Sequence, residues 1–127
     1  MLQPCIVDLP VKKSYSTTLE VVTAILEDLN ISYKDFMSKQ RYVPLVDARV
    51  VVSNILRCHP DIKAKIRNTG YLLNKHHSSI VWYMKKSNNA SKYDRHLYKK
   101  LAAGHQLIFG HLEYLNNFIY KDGFQYD

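Results

Sequence analysis

The sequence predicts an all-α protein, a helical bundle. Apolar residues recur three and four apart along most of the chain. No stretch alternates like a strand over a useful length, and turn residues cut the pattern into helix-sized pieces. At 127 residues the chain suits one domain and can bury a core without a disulfide or metal staple.

Residues 1–15 carry Pro4 and Pro10 and no helical period, which predicts an extended arm. Ser16-Thr17-Thr18 supplies an N-cap, with Glu20 as its capping-box partner. Leu19, Val22, Ala24, Ile25, Leu26 and Leu29 follow at helical spacing, and Asn30 ends the run. Ser32 caps a short second helix, residues 33–39, with Tyr33, Phe36 and Met37 on its apolar side. Residues 40–44 form a basic loop around Arg41. Pro44 or Leu45 opens a third helix that reaches Cys58, with Val46, Val50, Ile55 and Leu56 inward.

Pro60 suits the first position of the next helix, patterned by Ile62 and Ile66. Asn68-Thr69-Gly70 reads as a turn or helix end, Tyr71, Leu72 and Leu73 as a brief apolar turn, and Asn74-Lys75 as another turn. A further helix runs from His77 to Lys86, with Ile80, Val81 and Met84 buried. Ser87-Asn88-Asn89 reads as a break. Residues 90–120 are helical again, as one long helix or two joined near Gly104, and Asp122-Gly123 stops them. The predicted organisation is an arm (1–15), a first helical unit (16–87) and a C-terminal helical extension (88–127).

Cys5 and Cys58 are far apart and in no CxxC spacing, so a reducing, cytoplasmic setting is the expectation. The N-terminus is too short and interrupted for a signal peptide, and no apolar run reaches membrane-spanning length. The net charge of +7 is uneven. Between Lys34 and Lys100 lie fifteen Lys/Arg against four acids, Asp35, Asp47, Asp61 and Asp94, whereas the two flanks hold three lysines and seven acids. A basic middle between acidic ends is a footprint for a polyanion. No Walker A motif or Gly-rich phosphate loop is present, so no nucleotide is expected.

Short helix, turn, short helix, rich in Lys/Arg, points to a helix-turn-helix. Three segments make this specific. LEVVTAILEDLNISYKDFMSKQR (residues 19–41), VDARVVVSNILR (46–57) and TGYLLNKHHSSIVWYMKK (69–86) resemble, in order, three segments of one family. They are the opening helix and basic loop, the Ala-Arg helix, and the Arg-Asp-His-Thr-Thr signature of the C-terminal DNA-binding domain of the bacterial replication initiator DnaA. The resemblance covers a little over half the chain. It implies a DnaA-like, Trp-repressor-like helix-turn-helix, followed by the C-terminal helix or helix pair. It also implies a reader of a short double-stranded DNA box, free-standing and without the ATPase module.

By that resemblance Arg41 stands for the loop arginine that enters the minor groove, Lys75 for the family's Arg, and His77 for its histidine. Ser78 and Ser79 stand for the Thr pair, and Gly70 for the family's Gly. The departures are His76, where the family has Asp, and Ser78, which lacks the methyl that packs on thymine. Val43 stands where a basic residue is common, and Asp47 adds an acid.

The expected DNA-binding residues are Arg41, Arg49, Lys75, His76, His77, Ser78, Ser79, Lys85 and Lys86. Lys63, Lys65 and Arg67 belong to the same basic patch. Arg49 suits structural support or a phosphate better than a base. Lys75, Lys85 and Lys86 suit phosphates. Adjacent helical side chains point about 100° apart, so His76-His77 is a poor chelate, and no metal or other cofactor is expected. Ser78 lacks a nucleophile elbow, so no catalytic residue and no enzyme is expected. Trp82 could stack on a partner, but core or a helix–helix contact is the commoner role for such a residue.

Double-stranded DNA is thus the expected partner, for a transcriptional regulator or a replication-associated accessory factor. A homodimer through residues 90–120 is the further possibility, with Gly104 and Gly110 allowing close approach. The rival is a protein–protein module working through the aromatic C-terminal helix, with the helix-turn-helix as scaffold. A metal-dependent nuclease on His59, His76 and His77 ranks last, because carboxylates are scarce nearby.

Overall fold

The computed structural model describes residues 15–120, which form seven helices and no strand. Residues 1–14 of the expected arm (1–15), with Cys5, and the Asp122-Gly123 stop lie outside the described residues.

Helix α1 spans Thr18–Leu29. The capping box is complete: Glu20 N–H donates to Thr17 Oγ1 at 3.3 Å, and Thr17 N–H donates to Glu20 Oε1 at 3.0 Å. Asn30 closes it in the left-handed region, φ 59°. Val21, Val22, Ile25 and Leu26 are buried, but Leu19 is 71 % exposed, outside the apolar stripe expected for it. Helix α2 spans Tyr33–Phe36, shorter than expected, with Ser32 as its cap. Phe36 is buried, whereas Tyr33 faces solvent instead of the apolar side.

Helix α3, Val43–Cys58, is the spine. Every other helix packs against it. Val50, Val51, Val52, Ile55 and Leu56 are fully buried, and Asp47, Arg49, Ser53 and Asn54 are buried beside them, so the helix is enclosed on nearly all sides. The helix expected to start at Pro60 is absent. His59 Nδ1 accepts the Asp61 N–H (3.1 Å), its Nε2 donates to the Tyr15 carbonyl (2.7 Å), and Lys63 turns left-handed (φ 45°). That chain reversal delays helix α4 to Ile66–Leu73. Asn68, Thr69 and Gly70 therefore lie within α4. Gly70 serves close approach there: a Cβ would lie 2.8 Å from the Lys75 carbonyl oxygen. Residues 74–76 make the turn, with Asn74 at φ 55°.

Helix α5 spans His77–Tyr93, straight through the break expected at Ser87-Asn88-Asn89. Ser87 is fully buried and donates to the Met84 carbonyl at 2.8 Å, so its hydroxyl is satisfied within the helix. The break comes at Asp94, whose carboxylate caps helix α6, Arg95–Phe109. Gly104 lies inside α6, where a Cβ would meet Ile55 Cδ1 at 2.8 Å and Val51 Cγ1 at 3.0 Å. The close approach it allows is to α3 of the same chain. Gly110, φ 79°, ends α6, and helix α7 spans Glu113–Tyr120. Leu97, Leu101, Ile108 and Leu115 join the core formed by α1, α3 and α5.

Three central helices are also joined by polar atoms. His105 on α6 is fully buried, and its Nε2 donates to Asn54 Oδ1 on α3 at 2.6 Å. Asn54 Nδ2 donates to Ser87 Oγ on α5 at 3.3 Å. Burial, with a smaller push from His111, drives the His105 pKa down to about 3. The unfolded chain binds this proton near 6.5 and the folded chain does not. Stability is therefore complete above pH 6.5 and is lost as pH falls toward 3, by about 1.4 kcal/mol per pH unit. Urea melts at pH 7 and pH 5 should differ by roughly 2 kcal/mol from this group, and His105→Gln should flatten that difference. An unchanged slope in the variant would contradict the assignment.

Candidate nucleic-acid interface

The loop between α2 and α3 carries Arg41, and its shape is set from below. Arg49 is 1 % exposed and spends its guanidinium on backbone oxygens. Nε donates to the Phe36 carbonyl (2.9 Å), Nη1 to Gln40 (2.7 Å), and Nη2 to Ser38 (2.9 Å) and Asp35 (3.3 Å). A buried cation is tolerated because its donors are satisfied. Of the two roles expected for Arg49, the geometry gives it support of the loop.

Lys75, in the turn before α5, reaches the same loop. Its Nζ donates to the Ser38 carbonyl at 3.0 Å, so one oxygen accepts from both cations. Partial burial lowers the Lys75 pKa first, and then the charges of Arg49, Arg41 and Lys39. That set of neighbours marks a local positive field with the Arg41 loop and the turn at its centre.

The first turn of α5 is capped by a histidine. His76 Nδ1 accepts the Ser78 N–H at 3.2 Å and lies 2.9 Å from Ser78 Oγ. An accepting Nδ1 leaves the ring proton on Nε2. His77 is exposed, its ring centroid 4.2 Å from that of His76.

Arg41, Lys75, Ser78, Ser79, Trp82 and Lys86 line one open groove of about 690 Å³, with Arg49 and Tyr83 beneath. Two acids also border it, and both are paired. Asp47, nearly buried, binds Lys100 of α6 at 2.9 Å, and Asp94 lies 3.6 Å from Lys86. The Leu97 N–H that Asp94 caps holds its carboxyl below the usual range, with help from Lys86. His76 and His77 open instead onto a neighbouring cleft with Arg67 and Tyr71, which Lys75 also borders. Lys85 is exposed on α5 but lines neither hollow.

Trp82, favoured as core by the sequence, was left out of the expected site. It is 50 % exposed, not core, and stands in the groove. Its spacing of four from both Ser78 and Lys86 was the available signal. Val43 and Tyr71, at 66 % and 79 % exposure, were missed likewise.

Among the described residues no three His, Cys, Asp or Glu side chains converge as a metal set. His59 is buried with both ring nitrogens engaged, apart from the His76-His77 cleft. Burial pushes the Cys58 thiol up to about 12, which leaves it a weak nucleophile. No helix among the described residues is long and apolar enough to cross a membrane. Comparison with protein-family models, curated proteins and solved structures finds no match.

The clamp on Ser38 makes a graded prediction. Arg49→Ala removes four hydrogen bonds to the loop backbone and should cost roughly 3 kcal/mol in denaturant melts. Lys75→Ala, closer to solvent, should cost about 1 kcal/mol or less yet speed amide exchange at Gln40 and Arg41. Unchanged exchange there would remove Lys75 from the clamp.

Proposed function

We propose that this chain binds double-stranded DNA in a sequence-dependent way. Helix α4, the turn of residues 74–76 and α5 act as a helix-turn-helix of the DnaA type. The observation that carries the reading is the shared Ser38 carbonyl. Through it Lys75 ties the Arg41 loop to the turn that opens α5, so a minor-groove arginine and a major-groove helix keep a fixed separation. The order of sequence segments resembling the DnaA reader domain supports the same assignment.

The parts divide by chemistry. Helix α5, with 17 residues, is about 25 Å long and enters the major groove by its N-terminal turn. His77, Ser78 and Ser79 meet base edges or the phosphates beside them. Arg41 enters the adjacent minor groove. Lys75, Lys85 and Lys86 supply phosphate affinity and salt dependence. Arg49 holds the loop and touches no DNA. The reading needs no cofactor, nucleotide or catalytic step, and suits a transcriptional regulator or replication-associated accessory factor.

Selection of bound duplexes from a random pool tests it, with an Arg41→Ala/His77→Ala variant alongside. An enriched motif that the variant loses is the expected result. Retention without a motif would reduce the surface to a phosphate binder, and no retention would end the proposal. A second prediction concerns Asp94. Asp94→Asn preserves the cap of α6 but removes the charge that competes with phosphate for Lys86. Duplex affinity should rise several-fold, with roughly one more counterion released in the salt titration. An unchanged salt slope would mean that Lys86 does not meet phosphate.

A further inference from the structure

Trp82 is a large apolar side chain that the fold leaves half in water. Its ring meets Tyr83 edge-on at 5.7 Å, and Lys86 Nζ sits 5.5 Å from its centroid. Ser78, Trp82 and Lys86, each four residues apart, form one stripe of α5, and that stripe faces the groove of Arg41 and Lys75. Val43 adds a second exposed apolar side chain to the same groove. The groove is thus an apolar strip rimmed by cations, with Asp47 and Asp94 at its edge each paired to a lysine. Exposed apolar surface with a charged rim marks a contact surface. A phosphate alone makes no use of the strip. Its occupant is anionic and carries an apolar group at the depth of the indole. On the major-groove edge of duplex DNA the apolar group is the C5 methyl of thymine. Ser78 brings no methyl of its own to meet it.

Resting on the DNA-binding reading above, we infer that Trp82 determines specificity. Its indole packs on a thymine methyl in the major groove, while Lys86 leaves the indole face for the flanking phosphate. This is a contact by α5 beyond its first turn, so the reading surface of the helix extends from His77 to Trp82.

Trp82 is the chain's one tryptophan, so its emission reports the contact directly. The full chain, Trp82→Ala and Trp82→Phe are titrated with two probes: the duplex enriched by selection, and the same duplex with its thymines replaced by deoxyuridine. The enriched duplex should quench and blue-shift the wild-type emission. Loss of the methyls should weaken wild-type binding by about four-fold. Trp82→Ala should weaken the thymine duplex by about ten-fold and show no further loss on deoxyuridine. Trp82→Phe should fall between. Unchanged emission on a bound duplex overturns the inference. So does an equal loss on both duplexes with Trp82→Ala, which would put the indole on deoxyribose. If Trp82→Ala loses its helical circular dichroism, the wild-type emission and the response of Trp82→Phe to deoxyuridine decide. Failure to bind any duplex overturns the DNA-binding reading and this inference with it, whereas a bound duplex that leaves Trp82 indifferent removes this inference alone.

Discussion

A guanidinium can be buried in a helical protein when each side of it finds an oxygen. Arg49 meets that demand with backbone carbonyls of residues 35–40, none of them in regular helix beyond the last turn of α2. The consequence runs in both directions. The arginine would be intolerable on α3 without the loop. The loop turns its carbonyls toward the arginine, and without it Phe36 and Gln40 would lose a charged donor at 2.9 Å and 2.7 Å. The α2–α3 connection is therefore a fixed shape, and exposed Arg41 is presented from a rigid base. Lys75 extends that rigidity across to the α4–α5 turn through the same Ser38 oxygen. Gly70 then lets α4 approach that turn, where any side chain would strike the Lys75 carbonyl.

The histidines follow one local rule. His59, His76 and His111 each accept, at Nδ1, the N–H two residues on. The ring does what an Asp or Asn side chain does in an Asx turn. For His76 this bears on recognition. A capping aspartate would offer acceptor oxygens to solvent. A capping imidazole has its acceptor occupied and turns an N–H outward from Nε2. On the proposed DNA reading, the ring offers a donor suited to a purine N7 or a phosphate, where an aspartate would offer an acceptor suited to a cytosine amino group. A histidine cap thus starts the helix as an aspartate would but presents the opposite hydrogen-bonding sense at its tip.

Where sequence was legible, the signal was local. The capping box at Thr17 and Glu20, the left-handed stop at Asn30, the cap at Ser32 and the start of α5 at His77 are each settled within four residues. Where it was misleading, a distant group decided the matter. Ser87-Asn88-Asn89 has the composition of a loop, but Asn54, more than thirty residues away, receives Ser87 inside the core. Pro60 has the credentials of a helix start, but His59 is tied to the Tyr15 carbonyl and the chain reverses first. Arg49 had no sequence mark of burial, because its partners are carbonyl oxygens, which every residue possesses. Trp82 was weighed by residue type, which favours core or a helix–helix contact over stacking on a partner, and its register with Ser78 and Lys86 turns it outward.

The C-terminal helices belong to the same unit as the groove, through charge as well as packing. Asp47 sits on α3 at the edge of the groove, where an unpaired acid would repel phosphate. Lys100 of α6 neutralises it at 2.9 Å, with the Asp47 side chain only 5 % exposed. That pairing needs α6 to lie tightly on α3, which Gly104 permits by bringing its backbone against Val51 and Ile55. The apolar residues that patterned 90–120 as helix, Leu97, Leu101, Ile108 and Leu115, are spent on this docking. At the other edge Asp94, the joint between α5 and α6, holds Lys86 by a longer and partly exposed pair that a phosphate can displace. The two ion pairs thus differ in kind. The tight one neutralises an acid at the groove's edge, and the loose one keeps a lysine available to the groove.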